Sequence, residues 1–341
     1  LAIALGVLAC ENETRLLVDN PLAPGIFTVQ LNRRALQASR SLFDSADLLR
    51  VKRHRIGGAC VLDCGIEVPG SVEAGRLLSV VALADLGRVE LVPGPAHVAS
   101  GPFVQVATDQ PVAGCMASQY AGWEIREGDF FAMGSGPMRA AANREKIFED
   151  IGYAEKSDCA IGLLETRTMP SVHVVNSLAA ACKVKAADLV LLVAPTASQA
   201  GTFQVVARSV ETALHKLYEL GFDLDRIESG WGLAPLPPVA ADDLTAIGRT
   251  NDAILYGGQV TLWIRGDDAS LEAIGPQIPS RSSEDHGQPF AKIFARYDHN
   301  FYKIDRHLFS PALIRLVNLD SGKSFSFGEC LPEVLQSSFG D

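Results

Sequence analysis

The stretch CAIGLLETRTMPSVHVVNSLAAACKVKAADLVLLVAP, residues 159–195, decides how the chain is built. Its two ends, CAIGLLET and LVLLVAP, are short apolar runs with the length of strands. The second is apolar on both faces, as a strand inside a covered sheet has to be. Between them, SVHVVNSLAAACKV carries its apolar residues at helical spacing. Strand, helix and strand in that order build an α/β layer. Another helical pattern, FQVVARSVETALHKL (203–217), follows after the loop APTASQAG. At about 100° per residue, Val206, Val210, Ala213, Leu214 and Leu217 form one stripe, with Arg208, Glu211 and His215 together on the other side. Spacing alone reads Arg208 and Glu211 as a solvated pair, one turn apart. Such a pair is worth only a few tenths of a kcal/mol, so stability gives it little purpose.

Upstream, TVQLNRRALQASRSLFDSADLL (28–49) suits one long amphipathic helix with Leu31, Ala35, Leu42, Ala46 and Leu49 inward. GGACVLDCGIEV reads as a strand. SVEAGRLLSVVALADLG reads as a helix capped by Ser71 and stopped at Gly87. RVELV, FVQVAT and FFAMG are short strands between turn-forming residues. Downstream, ILYGGQVTLWIRG predicts a hairpin, and FAKIFARYDHNFYKIDRHLF a helix running into a loop. LIRLVNLDSGKSFSFG predicts a hairpin turning at Asp320-Ser321-Gly322. The expected fold is α/β (mixed α+β), in two domains at about 28–180 and 181–341. Their boundary is poorly marked, which leaves room for one domain to interrupt the other.

With 341 residues, 48% hydrophobic and 21% charged, the chain has ample material for a core. A net charge of −10 argues against nucleic acid as a partner, because phosphate backbones need a basic face. The apolar runs are too short to span a membrane. Seven cysteines, with no CxxC pair, read as small buried hydrophobes of a reducing compartment. The opening LAIALGVLAC resembles an export signal but lacks a basic segment before its apolar run. Residues 1–27 are therefore expected to be a disordered or non-native leader, with NPLAPG as a breaker.

Motif chemistry narrows the rest. The seven histidines form no metal-ligand spacing, and Ser135 in GSG lacks the GxSxG elbow. AMGSGPMRA makes a candidate anion cradle from Ser135, Gly136 and Arg139, or else a tight turn serving the fold. GRTNDAILYGG, with Arg249, Thr250, Asn251 and Asp252, and the polar loop PSRSSEDHGQPF read either as binding loops or as caps and turns.

Taken together, VLDCGIEVPGSVEAGR, SQYAGW, FFAMGSGPMRA, APTASQAGTFQVVARSVETALHKL, GRTNDAILYGG and NFYKID resemble the methenyltetrahydromethanopterin cyclohydrolase family, from about residue 28 to Phe339. The resemblance implies a cytoplasmic enzyme of one-carbon metabolism, in methanogenesis or formaldehyde oxidation. It would interconvert a methenyl-pterin and its formyl derivative by adding or removing water, with no metal and no redox cofactor. It implies a two-domain subunit with the substrate pocket between the domains, assembled as a homo-oligomer, trimers among them. The family's R-x-x-E pair falls on Arg208 and Glu211. Around them, Ser135, Gly136, Arg139, Thr196, Ser198, Gln204, Arg249, Asn251, Asp252 and Tyr256 are the expected substrate contacts. The phosphate-sized anion site of the family is assigned to GSGPMR on the residues themselves. Two rival readings are a cyclohydrolase for another pterin or folate, and a pterin-binding protein without turnover.

Overall fold

A computed structural model describes residues 29–340, so the expected leader lies outside the described residues. Two six-stranded sheets carry the architecture. The first runs in the order β1 (Lys52–Ile56), β2 (Ala59–Asp63), β8 (Leu189–Ala194), β7 (Ala160–Glu165), β6 (Phe130–Ser135), β5 (Trp123–Glu127). The second runs β12 (Ser324–Gly328), β11 (Leu313–Asn318), β10 (Gln259–Ile264), β9 (Ile227–Pro235), β4 (Pro102–Thr108), β3 (Gly87–Pro93). In the first, β2, β8 and β7 are parallel, while β1 pairs antiparallel with β2, β6 with β7, and β5 with β6. In the second, only β10 and β11 are parallel. The mixed α/β expectation is met. The second sheet takes β3 and β4 from the first half of the chain, so the sheets interleave along the sequence. The split near residue 180 concerns cooperative units rather than sheets and stays an expectation.

The helices are α1 (Leu31–Ala38), α2 (Arg40–Asp44), α3 (Ala46–Leu49), α4 (Val72–Ala82), α5 (Met138–Ala142), α6 (Ile147–Asp150) and α7 (Val172–Ala181). After β8 come α8 (Gln199–Val206), α9 (Ser209–Glu219), α10 (Asp243–Leu255), α11 (Asp268–Ile274), α12 (Phe290–Arg296) and α13 (Pro332–Phe339). A π-helix spans Val112–Gln119. The two faces of the first sheet are covered differently. Leu164, Leu191 and Val193 pack with Val174, Val175 and Leu178 of α7. Ile161, Leu163 and Leu192 join one core with Leu78 of α4, Phe203 of α8, and Val104 and Leu262 of the second sheet. The helices α4, α8 and α9 therefore lie in a layer that touches both sheets. Among the described residues, no helix is long and apolar enough to cross a membrane.

Four local expectations are corrected. The long helix over 28–49 is three short ones, interrupted at Ser39 and Ser45; the Ser39 hydroxyl donates to Leu36 O instead of staying in solvent. The helix from Ser71 keeps its cap, with Ser71 Oγ accepting from Ala74 N at 3.0 Å. It ends before Gly87, where Ala84 and Asp85 take left-handed φ of 53° and 56°. ILYGGQVTLWIRG is not a hairpin but the end of α10 followed by β10. A Cβ on Gly258 would sit 2.5 Å from Ile254 O, so the glycine pair closes a helix against its own last turn. Finally, 203–217 is not one helix, and that break builds the site.

Candidate active site

Between α8 and α9 the backbone leaves the helical path at Arg208 (φ −96°, ψ 10°). Arg208 N bonds to Val205 O at 3.2 Å, a tightened turn, before Thr212 N to Arg208 O at 2.8 Å starts α9. The break turns the guanidinium into the core, where Arg208 is 7% exposed. Three of its five N–H groups are engaged: Nη1 donates to Gln119 O, and Nη2 to Ser135 Oγ at 3.0 Å and Gln204 Oε1 at 2.9 Å. The glycines of β9 bring α9 close. A Cβ on Gly232 would lie 2.4 Å from Ser209 Oγ, and one on Gly230 2.7 Å from Val210 Cγ1.

Glu211, in the first turn of α9, is 6% exposed. The surface-pair reading of this couple is thereby overturned. Burial pushes the Glu211 carboxyl up to about 7, although Arg208 and Arg139 pull the other way. Nor does the guanidinium clamp the carboxylate, since all its hydrogen bonds go elsewhere. Arg208 acts on Glu211 through space. Burial also lowers the Arg208 pKa, opposed by Glu211 and by Glu165.

Around this pair lie residues that the sequence did not single out. The π-helix, a rare form that favours functional sites, delivers Gln119, whose Nε2 donates to Ala207 O at 3.0 Å. Tyr120 stacks on His215 with ring centroids 4.8 Å apart. The Arg139 guanidinium lies 4.9 Å over the same tyrosine ring. Glu165, at the end of β7, accepts a hydrogen bond from Thr196 Oγ1, and burial raises its pKa. Sequence reading had SQYAGW in hand only as part of the resemblance, and a lone acid ending a strand carries no pattern at all.

The expected substrate contacts fall into two groups. Ser135, Thr196 and Gln204 gather round Arg208 and Glu165. Gly136 follows Ser135 with φ 86° and bonds to Ser118 O at 2.9 Å. Ser198 caps α8, accepting from Gly201 N at 3.0 Å. Arg139, wholly buried, gives Nε and Nη2 to Glu145 at 2.9 and 2.6 Å, and Nη1 to Met116 O at 3.1 Å. Its charge is already answered by Glu145. Glu145→Ala leaves a buried cation unpaired and is expected to lower stability by about 3 kcal/mol, read in denaturant melts. The second group sits on and after α10. Arg249 donates to Ser338 O and Pro238 O, and Asn251 to Ile247 O. Asp252, pushed up to about 7 by burial, accepts from Phe290 N and Ser338 Oγ, while Tyr256 donates to Gln288 O. These bonds tie the 287–290 loop and α13 to α10. None of the four bonds to Arg208 or Glu211.

His54, Asp63 and Glu67 bring ligand atoms within 4.8 Å of one another. Asp63 already accepts from the backbone N–H of Gly65, Ile66 and Glu67, and Lys52 Nζ lies 3.3 Å from Glu67. Two cavities, of about 150 and 220 Å³, lie beside α13 and beside Tyr218, away from Arg208. Ionisable groups, rather than concavity, mark the candidate site.

A family model described as cyclohydrolase (MCH) matches residues 30–339. A methenyltetrahydromethanopterin cyclohydrolase of Rhodopirellula baltica is 44% identical over 315 residues, covering 91% of this chain and 95% of that protein. One of Xanthobacter autotrophicus is 44% identical, covering 88% of this chain and 89% of its own. One of Methanospirillum hungatei is 40% identical, covering 92% and 99%.

Proposed function

Since the chain belongs to the methenyltetrahydromethanopterin cyclohydrolase family, we propose that it interconverts 5,10-methenyl-tetrahydromethanopterin (or its dephospho form) and the 5-formyl derivative, with Glu211 as general base supported by Arg208. The observation that carries the assignment of roles is the burial of both charges side by side at the α8–α9 break, with the Glu211 carboxyl at about 7. A base whose pKa lies near working pH balances the fraction ionised against the strength of proton removal.

The methenyl carbon lies between two nitrogens that share a positive charge, so it is electrophilic without a metal, and no electrons change hands. Glu211 takes one proton from water as the oxygen adds to that carbon. The neutral adduct then collapses: its hydroxyl proton passes to the departing nitrogen, the C–N bond breaks, and the C=O forms. One proton per turnover leaves with the base. The Glu211 carboxylate also favours the cationic ring electrostatically. Fixed by Gln119, Ser135 and Gln204, Arg208 lowers the Glu211 pKa from its buried value without taking up the carboxylate's lone pairs. The same reading makes the protein a cytoplasmic enzyme acting as a homo-oligomer on a small pterin substrate.

The test is side-by-side hydration of methenyl-tetrahydromethanopterin and methenyl-tetrahydrofolate, followed by loss of methenyl absorbance. Turnover of the first is expected; binding without turnover removes the assignment. The pH profile adds a signed check. Hydration needs ionised Glu211, so kcat/KM rises with pH through about 7. Cyclisation of the formyl compound needs the protonated acid, so its kcat/KM falls through the same pH. Rates measured over roughly pH 5 to 9 in both directions decide this, and a flat hydration profile there contradicts the role of Glu211.

A further inference from the structure

We infer that Glu165 recognises the pyrimidinone edge of the pterin, its carboxylate accepting the paired N–H groups of the ring nitrogen and the adjacent 2-amino group; this rests on the pterin reading above. Strand register places the residue. Ser135 pairs with Leu163 across β6 and β7, and Glu165 pairs with Ala194 across β7 and β8. Cross-strand partners share a face, as do residues two apart, so Ser135, Leu163 and Glu165 look the same way. Leu163 and Ala194 on that face pack into the core that holds Phe203, Val206 and Val210 of α8 and α9. The Glu165 carboxylate therefore faces the α8–α9 break, and Arg208 reaches the same face at Ser135. It stands at the C-terminal end of a parallel strand, beside the loop that follows the next one, where open α/β sheets take their ligands.

What Glu165 lacks is a partner of equal strength. Thr196 Oγ1 donates to Oε1, and among the described residues no other hydrogen bond reaches the carboxylate. The guanidinium of Arg208 is close enough to be felt, but its hydrogen bonds go to Gln119, Ser135 and Gln204 and not to Glu165. Asp243, the other charge that Glu165 feels, holds Ala197 N at 2.8 Å and pairs with Arg167 at 2.5 Å. A half-buried carboxylate with one oxygen fixed and the other open calls for donors from a ligand. The aminopyrimidinone edge offers two parallel N–H groups at the spacing of a carboxylate's oxygens, the geometry that makes two-point pairing strong.

The experiment compares wild type with Glu165→Gln on the methenyl substrate and on an analogue lacking the 2-amino group. With the full substrate, Glu165→Gln is expected to raise KM about 30-fold with kcat within about 3-fold. Wild type loses a similar factor on the analogue, and Glu165→Gln loses little more, as partners in one contact should. A wild-type KM in the folded variant, or equal losses on both substrates, overturns the inference. A fall in kcat at constant KM, with a shifted pH profile, overturns it in favour of a role through Arg208 and Glu211. Thr196→Val provides a second route if Glu165→Gln fails to fold: it should weaken the full substrate more than the analogue, and a uniform effect counts against the contact. Absence of turnover by wild type would instead remove the proposed function itself.

Discussion

Glu211→Gln is expected to leave a folded protein that hydrates the methenyl substrate about 10³-fold more slowly than wild type, the loss typical of removing a positioned base. Glutamine keeps the shape and the polar end but cannot accept the proton from water. The same substitution should make the protein more stable at pH 8, which separates chemistry from folding. The sign follows from the carboxyl, usually near 4.5 and raised to about 7 in the fold. Between those values the folded state binds more protons than the unfolded chain, so stability falls as pH rises through that window. The neutral amide removes this slope. Thermal melts of both proteins at pH 5 and pH 8, with absorbance assays beside them, give the answer. Near-wild-type turnover in a folded Glu211→Gln protein would end its role as base.

Arg208 gives the second large effect. Arg208→Lys is expected to reduce kcat about 10²-fold, because an ammonium cannot span Gln119 O, Ser135 Oγ and Gln204 Oε1 as the planar fork does. Arg208→Met goes further and also removes the charge that lowers the Glu211 pKa. Its hydration profile should therefore shift to higher pH, and its residual rate should recover in alkaline buffer. A variant with low activity but an unmoved profile would show that Arg208 serves the fold or the substrate rather than Glu211. The pH dependence of kcat/KM in the two variants distinguishes these outcomes.

The sequence revealed the elements more readily than their surroundings. Runs such as LVLLVAP were readable as strands because an apolar strand must be covered on both faces, and β8 is. KRHRI, which forms β1, was missed because an edge strand with exposed polar residues has no apolar period to detect. For 203–217, the spacing correctly set Arg208 and Glu211 together but assigned their side to solvent. Periodicity assumes that a polar face is a wet one, and here Tyr120 and the end of β6 cover it. The break at Arg208 carries no glycine or proline to announce it. Glu165 owes its place to strand register, which only pairing partners hundreds of atoms apart can set.

The interleaving of the two sheets has a consequence for biosynthesis. The hairpin of β3 and β4 emerges from the ribosome early, yet the strand that shields its open edge, β9, begins at Ile227. At ordinary translation speed the intervening segment of roughly 120 residues takes on the order of 10 s to appear. Throughout that interval the edge of β4 that pairs with β9 in the finished fold stays open, a row of unpaired backbone groups that another strand could capture.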